Sequence, residues 1–322
     1  MMLTLEGAVA TYGEPLLRLT GSAATRLAQT AAFDVAVGGA ELNVGVALAS
    51  LGREVRVIAA VPDSPLGDQV IRAIRAAGAS SEHVARVPRS RIGLYFVEKT
   101  AAPRGHRVVY DRRDTAFASS DPSPDALAGV GVLVVSGITA ALGDAPLARL
   151  RALIADAVAR GVGVVIDVNH RALLWGTDAA SRTLAPLLRS ADVVICASRD
   201  AAALFHAEGP ALEQARLVRE TLAPHSSLVV ITDGDRGAAA VSDTGHWQVP
   251  AVPTSVVDRF GAGDAFTAGL LWGLTGGRSV PAALEAGVAL AAMACTIEGD
   301  SATFDAAELE AVLADPAGVM VR

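Results

Sequence analysis

The run Asp258-Arg259-Phe260-Gly261-Ala262-Gly263-Asp264 leads directly into AFTAGLLWGL, a stretch with helical periodicity. Small residues at 261–263 let the main chain come close to a bound group. A turn at a helix start also points free amides outward, at the positive end of the helix dipole. Such a turn is an anion site, and phosphate is the guest that suits it. A carboxylate beside a phosphate cradle repels its guest unless it has chemical work to do, so Asp264 reads as a general base acting on an alcohol. The plainer alternative is an ordinary Asp N-cap; the glycine turn and the upstream Asp258 weigh against it. A second glycine signal, Gly38-Gly39, precedes Ala40, Glu41 and Asn43 and a small-residue helix that ends at Leu51-Gly52. Two glycines between a strand and a helix admit a ligand near the main chain, and the Asn43 amide both donates and accepts, which suits a polyol. Gly-Gly turns and helix-start Asn residues are also common without any ligand.

These residues need a frame, and the chain is long enough to supply one. Its 322 residues suit one large α/β domain, or a large domain with a small appendage. With 52% hydrophobic and 19% charged residues it has ample material for a core and too little charge for intrinsic disorder. A net charge of −7 argues against a dedicated nucleic-acid binder. Cys196 and Cys295 form neither a disulfide framework nor a CxxC metal pair, which points to a reducing, cytoplasmic setting. The opening MMLTLEGAVATYGEP has no basic n-region, and Glu6 interrupts any apolar core of a signal peptide. The apolar stretch 280–297 is broken by Glu285 and rich in Ala, so it is expected to be a buried core helix and not a membrane span.

Short β-branched runs at 132–137, 162–168, 192–198 and 227–234 read as strands buried on both faces. Helical segments at 146–160, 179–189, 199–206 and 211–223 lie among them. Helix 40–51, strand 55–61 and helix 65–77 repeat the plan earlier. Strands alternating with helices of this length predict a doubly wound, mostly parallel sheet flanked by helices. The segments at about 11–37 and 90–117 lack helical period; the second alternates apolar and polar residues around a Pro-Arg-Gly turn. Together they predict a small β-rich lid on a single α/β domain spanning 1–322. Residues 86–113 also carry eight Arg and Lys residues against Glu98 and Asp111, a local reversal of sign in an acidic protein. Most of these can be a solvated strand face, while one or two suit an anionic ligand, because a guanidinium fork matches a carboxylate.

GGAELNVGVALASLG (38–52) and DRFGAGDAFTAGLL (258–271) resemble, in order and separation, the two signatures of the ribokinase-like (PfkB) carbohydrate kinases. Within that family the chain is most similar to 2-keto-3-deoxygluconate kinases. This likeness is carried by Gly13-Glu14-Pro15, by 93–99 (GLYFVEK), by Val109-Tyr110-Asp111-Arg112 and by 167–171 (DVNHR) before Leu174-Trp175. The resemblance implies transfer of phosphate from ATP, with Mg²⁺, to the terminal hydroxyl of an acid sugar, 2-keto-3-deoxygluconate giving its 6-phosphate. It implies Asp264 as base, with Gly261, Ala262 and Gly263 as the catalytic anion turn. Gly38, Gly39 and Asn43 fall on the sugar, with Tyr95 and Tyr110 reaching it from the lid. Arg112 and Arg171 lie at the acid and keto end, and Asn169 and Asp300 are further sugar contacts. Ser198, Thr232, Gly234 and Gly237, with Gly261 and Gly263, fall on the nucleotide. No protein metal cage is implied. Two positions depart from the family pattern: Arg259 follows the first Asp of the second signature where Thr is usual, and the magnesium-linked Asn-x-x-Glu reads Ala197-Ser198-Arg199-Asp200.

Four other readings compete. A kinase for fructose or ribose would leave Arg112 and Arg171 without a carboxylate partner. A nucleoside kinase would need a base-stacking slot beyond the two tyrosines. A dinucleotide-binding oxidoreductase would need G-x-G-x-x-G after the first strand, which VGGAELNVG does not fit. A catalytically silent sugar-binding regulator would have no use for the intact Asp264 and its glycine turn. One exposed lid face makes a homo-oligomer plausible on general grounds. Neither a nucleic acid nor a membrane is expected as partner.

Overall fold

The computed structural model describes residues 5–22, 25–100 and 103–316. Residues 1–4 of the opening stretch, and 23–24 and 101–102 within the two β-rich segments, lie outside the described residues.

Thirteen strands are present among the described residues: β1 (Ala8–Tyr12), β2 (Leu16–Gly21), β3 (Phe33–Gly38), β4 (Val55–Pro62), β5 (Val84–Val87), β6 (Gly93–Glu98), β7 (Arg107–Asp111), β8 (Val130–Ser136), β9 (Gly163–Asp167), β10 (Val193–Ala197), β11 (Leu228–Thr232), β12 (Ala238–Ser242) and β13 (Gly245–Val249). The helices are α1 (Ala40–Ser50), α2 (Pro65–Ala76), α3 (Gly137–Ala140), α4 (Asp144–Ala159), α5 (Thr177–Leu188), α6 (Ser198–Phe205), α7 (Ala211–Thr221), α8 (Ala262–Thr275), α9 (Val280–Ala294) and α10 (Ala306–Ala314). Nine strands form one sheet in the order β13-β12-β11-β10-β9-β8-β1-β4-β5. It is parallel from β5 through β11 and closes with an antiparallel edge at β12 and β13.

The sheet is covered on both faces, which is why its strands read as continuous apolar runs. In β8, Val132 and Val134 join the core beneath α1, α2, α8 and α9, while Leu133 and Val135 join the core beneath α4, α5, α6 and α7. The predicted strands and helices of this body recur within a few residues of their expected limits. The edge strands β12 and β13 lie beyond the runs recognised in the sequence. Alanines fill the start of β12, and β13 mixes polar residues with Trp247, so neither carries a strong β-branched signal.

The second sheet has the order β3-β2-β6-β7. Thr11 and Tyr12 belong to β1 of the large sheet, so the small one begins at Leu16. Its inner face presents Leu16, Tyr95 and Val97, with Val108 and Tyr110, against Phe260. The carboxyl ends of β9, β10 and β11, the start of α8 and the inner face of the small sheet converge. In open α/β sheets, ligands bind outside the carboxyl ends of the strands.

Most of the stretch 280–297 forms α9, a core helix packed on α8 that ends at Ala294, and among the described residues no helix is long and apolar enough to cross a membrane. The α8–α9 contact depends on residues without side chains. A Cβ added at Gly269 would lie 2.4 Å from the Ala286 carbonyl oxygen. Gly269→Ala is therefore expected to destabilise the protein by about 1–3 kcal/mol, despite the roughly 1 kcal/mol that alanine gains in a helix interior. Chemical denaturation checks this; an unchanged or raised midpoint would show that the two helices can separate freely.

Candidate active site

The glycine turn sits where the sequence reading put it, at the first turn of α8. Gly261 has φ 75°, and a Cβ there would lie 1.9 Å from the Asp300 carbonyl oxygen, so only glycine fits. α8 has no side-chain cap. The Ala262 amide turns back toward the Arg259 carbonyl in a long contact of 3.5 Å. Gly261 and Gly263 border a cavity of about 290 Å³, and a Cβ at Gly263 would meet nothing within 4 Å. This is the geometry that an anion at a helix N-terminus requires.

Asp264 is buried, 5% exposed, in that first turn. The Asn43 Nδ2 donates to its Oδ2 at 2.7 Å, and the Asn169 Nδ2 lies 3.4 Å from its Oδ1. Burial pushes its pKa up to about 6, against the opposing hydrogen bond from Asn43. Asp167, at the end of β9, is pushed further, to about 8, by burial and then by the charge of Asp264. Asn169 links the two: its main-chain N–H donates to Asp167 at 3.1 Å from a left-handed φ of 37°. Asp200, in the first turn of α6, is buried too and accepts from the His170 N–H at 3.3 Å.

A smaller cavity of about 60 Å³ lies on the other side of Asp264, bordered by Gly39, Asn43, Tyr95, Tyr110, Arg112 and Asp300. Arg171, Phe260, Gly261 and Asp264 border both hollows. Among the described residues, the buried Tyr95 hydroxyl and Arg171 Nε have no hydrogen-bond partner. Such groups are costly to bury unless something binds them.

The remaining sequence-predicted residues divide. Thr232 borders the larger cavity. Ser198 opens α6, its carbonyl accepting from Gln214, while Gly234 and Gly237 shape the turn after β11; none of these three borders either cavity. Gly38 stands beside the smaller one, where a Cβ would lie 2.8 Å from Asp300 Oδ2 and 3.0 Å from the Tyr95 hydroxyl. Arg112 is not a free guanidinium: its Nη2 and Nε bond Glu14 Oε2 at 2.6 and 2.8 Å.

Sequence reasoning gave no separate role to four ionisable groups, the buried Glu14, Glu41 and Arg18 and the half-buried Asp167. Glu14 holds Arg112 and also accepts from the Thr115 hydroxyl. Glu41 accepts from the Ser136 main chain and the hydroxyls of Ser136 and Thr139; burial raises its pKa despite these bonds. Asp167 was read only as part of a motif. Arg18 pairs with Asp258 and Asp300. Its signal was available in β2, where LLRLTG places an arginine on the inward face of an otherwise apolar strand.

The family model for pfkB carbohydrate kinases matches residues 8–307. The chain belongs to the pfkB family of carbohydrate kinases. Its relatives include the 2-dehydro-3-deoxygalactonokinase of Haloferax volcanii, 33% identical over 94% of this chain and 95% of that protein. The 5-dehydro-2-deoxygluconokinase of Geobacillus kaustophilus is 27% identical over 82% and 80%. The crystal structure of the 2-dehydro-3-deoxygluconokinase of Thermotoga maritima aligns with a TM-score of 0.85 at 28% identity, covering 96% of this chain and all of that one. As a pfkB carbohydrate kinase the protein is a phosphotransferase acting on a sugar hydroxyl.

If Asp264 takes the proton from that hydroxyl, it must be ionised to act. The acid limb of kcat/KM is expected near pH 6, activity falling about tenfold per unit below it. A limb near pH 4, the ordinary carboxylate value, would mean that Asp264 is not held in the buried setting described above.

Proposed function

We propose that the protein transfers the γ-phosphoryl group of ATP, with Mg²⁺, to the terminal hydroxyl of a 2-dehydro-3-deoxy sugar acid of the gluconate or galactonate type. Arg171 carries the reading. Its Nε is buried without a partner at the junction of the two cavities, next to Asp264. A carboxylate substrate gives it the charged partner that a neutral sugar lacks. Arg112 contributes less to this choice than its position suggests, because Glu14 already neutralises it. The names of the three relatives above, all kinases of dehydro-deoxy sugar acids, support the same substrate class.

The larger cavity suits the nucleotide, since it contains the anion turn and Thr232 and opens at the carboxyl ends of β9, β10 and β11. The smaller suits the sugar, offering the Asn43 amide, the Tyr95 hydroxyl and the Asp300 carboxylate to hydroxyl groups. Asp264 stands between them and takes the proton as the hydroxyl attacks, while the amides of Gly261 and Gly263 stabilise charge on the transferred group. Asn43 and Asn169 fix the carboxylate, and Tyr95, Tyr110 and Phe260 exclude water that would compete as acceptor.

Magnesium fits the donors present. Among the described residues no group of three or more His, Cys, Asp or Glu could hold a metal. Asp167 and Asp200 nevertheless offer hard oxygen donors in the larger cavity, and the charge of Asp264 already disfavours ionised Asp167. Mg²⁺ is commonly held by one or two carboxylates together with substrate phosphates and water, and when bound it offsets phosphate charge. Asp167 and Asp200 would be its protein contacts.

Asp264→Asn should lower kcat by about 10²–10⁴ with ATP affinity nearly intact; full turnover would remove the base assignment. Substrate class is tested by a panel of 2-dehydro-3-deoxy acids and neutral ketoses and pentoses, scored by kcat/KM on the unaltered enzyme and on Arg171→Ala. The acid sugars should lead the panel, and the substitution should cost them at least about tenfold more than any neutral sugar. Equal losses for both kinds would refute the acid-sugar reading.

A further inference from the structure

Arg18 lies in β2 and is 1% exposed, among the most deeply buried large side chains described. All three of its guanidinium nitrogens are engaged. Nη1 donates to Asp300 Oδ1 at 2.5 Å, Nη2 to Asp258 Oδ2 at 2.8 Å and Nε to the Thr20 hydroxyl at 2.9 Å. The group also stacks over the Phe260 ring, 4.5 Å from its centroid. A fork held at each nitrogen and on one face has a fixed position, which a lysine ammonium cannot reproduce.

The two carboxylates it joins do different things. Asp258 stands ahead of the phosphate turn, its Oδ1 accepting from the Phe260 N–H at 3.2 Å. Asp300 borders the smaller cavity. Its Oδ1 is taken by Arg18, while its Oδ2 faces Gly38, close to the partnerless Tyr95 hydroxyl. The Asp300 carbonyl oxygen presses against Gly261, closing the loop between the two halves of the site.

We infer that Arg18 is a positioning residue: from the small sheet it holds Asp300 as an ionised acceptor for a sugar hydroxyl and ties that carboxylate to the phosphate turn. The inference rests on the smaller cavity being the sugar site, but not on the sugar being an acid. Burial drives the Asp300 carboxyl toward its neutral form, and the Arg18 charge opposes this. The Tyr95 hydroxyl from β6 and the charged Glu14, Glu41, Arg112, Arg171 and Asp264 border the same cavity, and Asp258 lies across the shared guanidinium with Lys99 beside it. The Lys99 ammonium lies 3.4 Å from Asp258 and 3.0 Å from Glu298. With Arg18 removed, Asp300 takes up a proton at higher pH and loses the lone pair that a hydroxyl would use.

The test measures KM for the sugar that the unaltered enzyme phosphorylates best, across about pH 5 to 9. It compares the unaltered enzyme with Arg18→Gln, Asp300→Asn and the double variant, each shown to be folded by circular dichroism. Arg18→Gln should raise the sugar KM at least about tenfold and move its acid limb to higher pH. In the Asp300→Asn background the same change should alter KM by less than about twofold, because the coupled partner is already gone. Arg18→Lys, which keeps the charge without the fork, should fall between. Independent, multiplicative effects in the two backgrounds, or pH profiles that superimpose, would reduce Arg18 to a purely structural ion pair. If Arg18→Gln does not fold, Arg18→Lys in the two backgrounds decides by the same comparison. Preference of the unaltered enzyme for a neutral sugar would overturn the acid-sugar reading alone, and the Arg18 test would then proceed with that sugar.

Discussion

Negative charge is crowded where the two cavities meet, and the rest of the site is arranged around that constraint. Asp264, Asp167 and Glu41, whose neutral forms burial favours, stand near the start of α8 together with the buried Asp200. Several features offset this. Asn43 and Asn169 direct amide hydrogens at Asp264, hydroxyls and a main-chain N–H surround Glu41, and the positive end of α8 faces the cavity. The compensation is partial, and that is its chemical value. A carboxylate held near the pH at which it works is a better base than one fully stabilised in water.

The fold supplies these groups from distant parts of the chain. The strands β9, β10 and β11 end at one level and deliver Asp167, Asp200 and Thr232 to the floor of the larger cavity. The small sheet brings Tyr95 and Tyr110 over the smaller one and is fastened by the buried ion pairs of two arginines, Arg112 to Glu14 and Arg18 to Asp258 and Asp300. Buried pairs of this kind are weak contributors to net stability, and breaking one is costly, so their main effect is to fix geometry. Here they fix the distance between the smaller cavity and the glycine turn of α8.

Much of this was legible in the sequence. The β-branched runs announced the parallel sheet because both its faces are buried, and the two glycine turns, read as places of close approach, both border the cavities around Asp264. Asp264 and Asn43, far apart in sequence, were both singled out and meet in a hydrogen bond. What stayed hidden depends on pairing. Arg112 read as a free cation because Glu14, its partner, lies in another segment, and Arg18 drew no reading because its two aspartates lie 240 and 282 residues away. The edge hairpin β12–β13 was missed because small and polar residues leave no periodic signal there. Charge partners across a fold are tertiary facts, and no local pattern contains them.

The central claim is that Asp264 acts as a base between a donor and an acceptor held on either side of it, so that phosphate passes directly from one to the other. The stereochemical course of transfer from ATP made chiral at the γ-phosphorus tests this most directly. Inversion at phosphorus is the result expected of a single in-line displacement. Retention would mean two displacements through a phosphorylated enzyme, with a carboxylate serving as nucleophile, and would contradict the account.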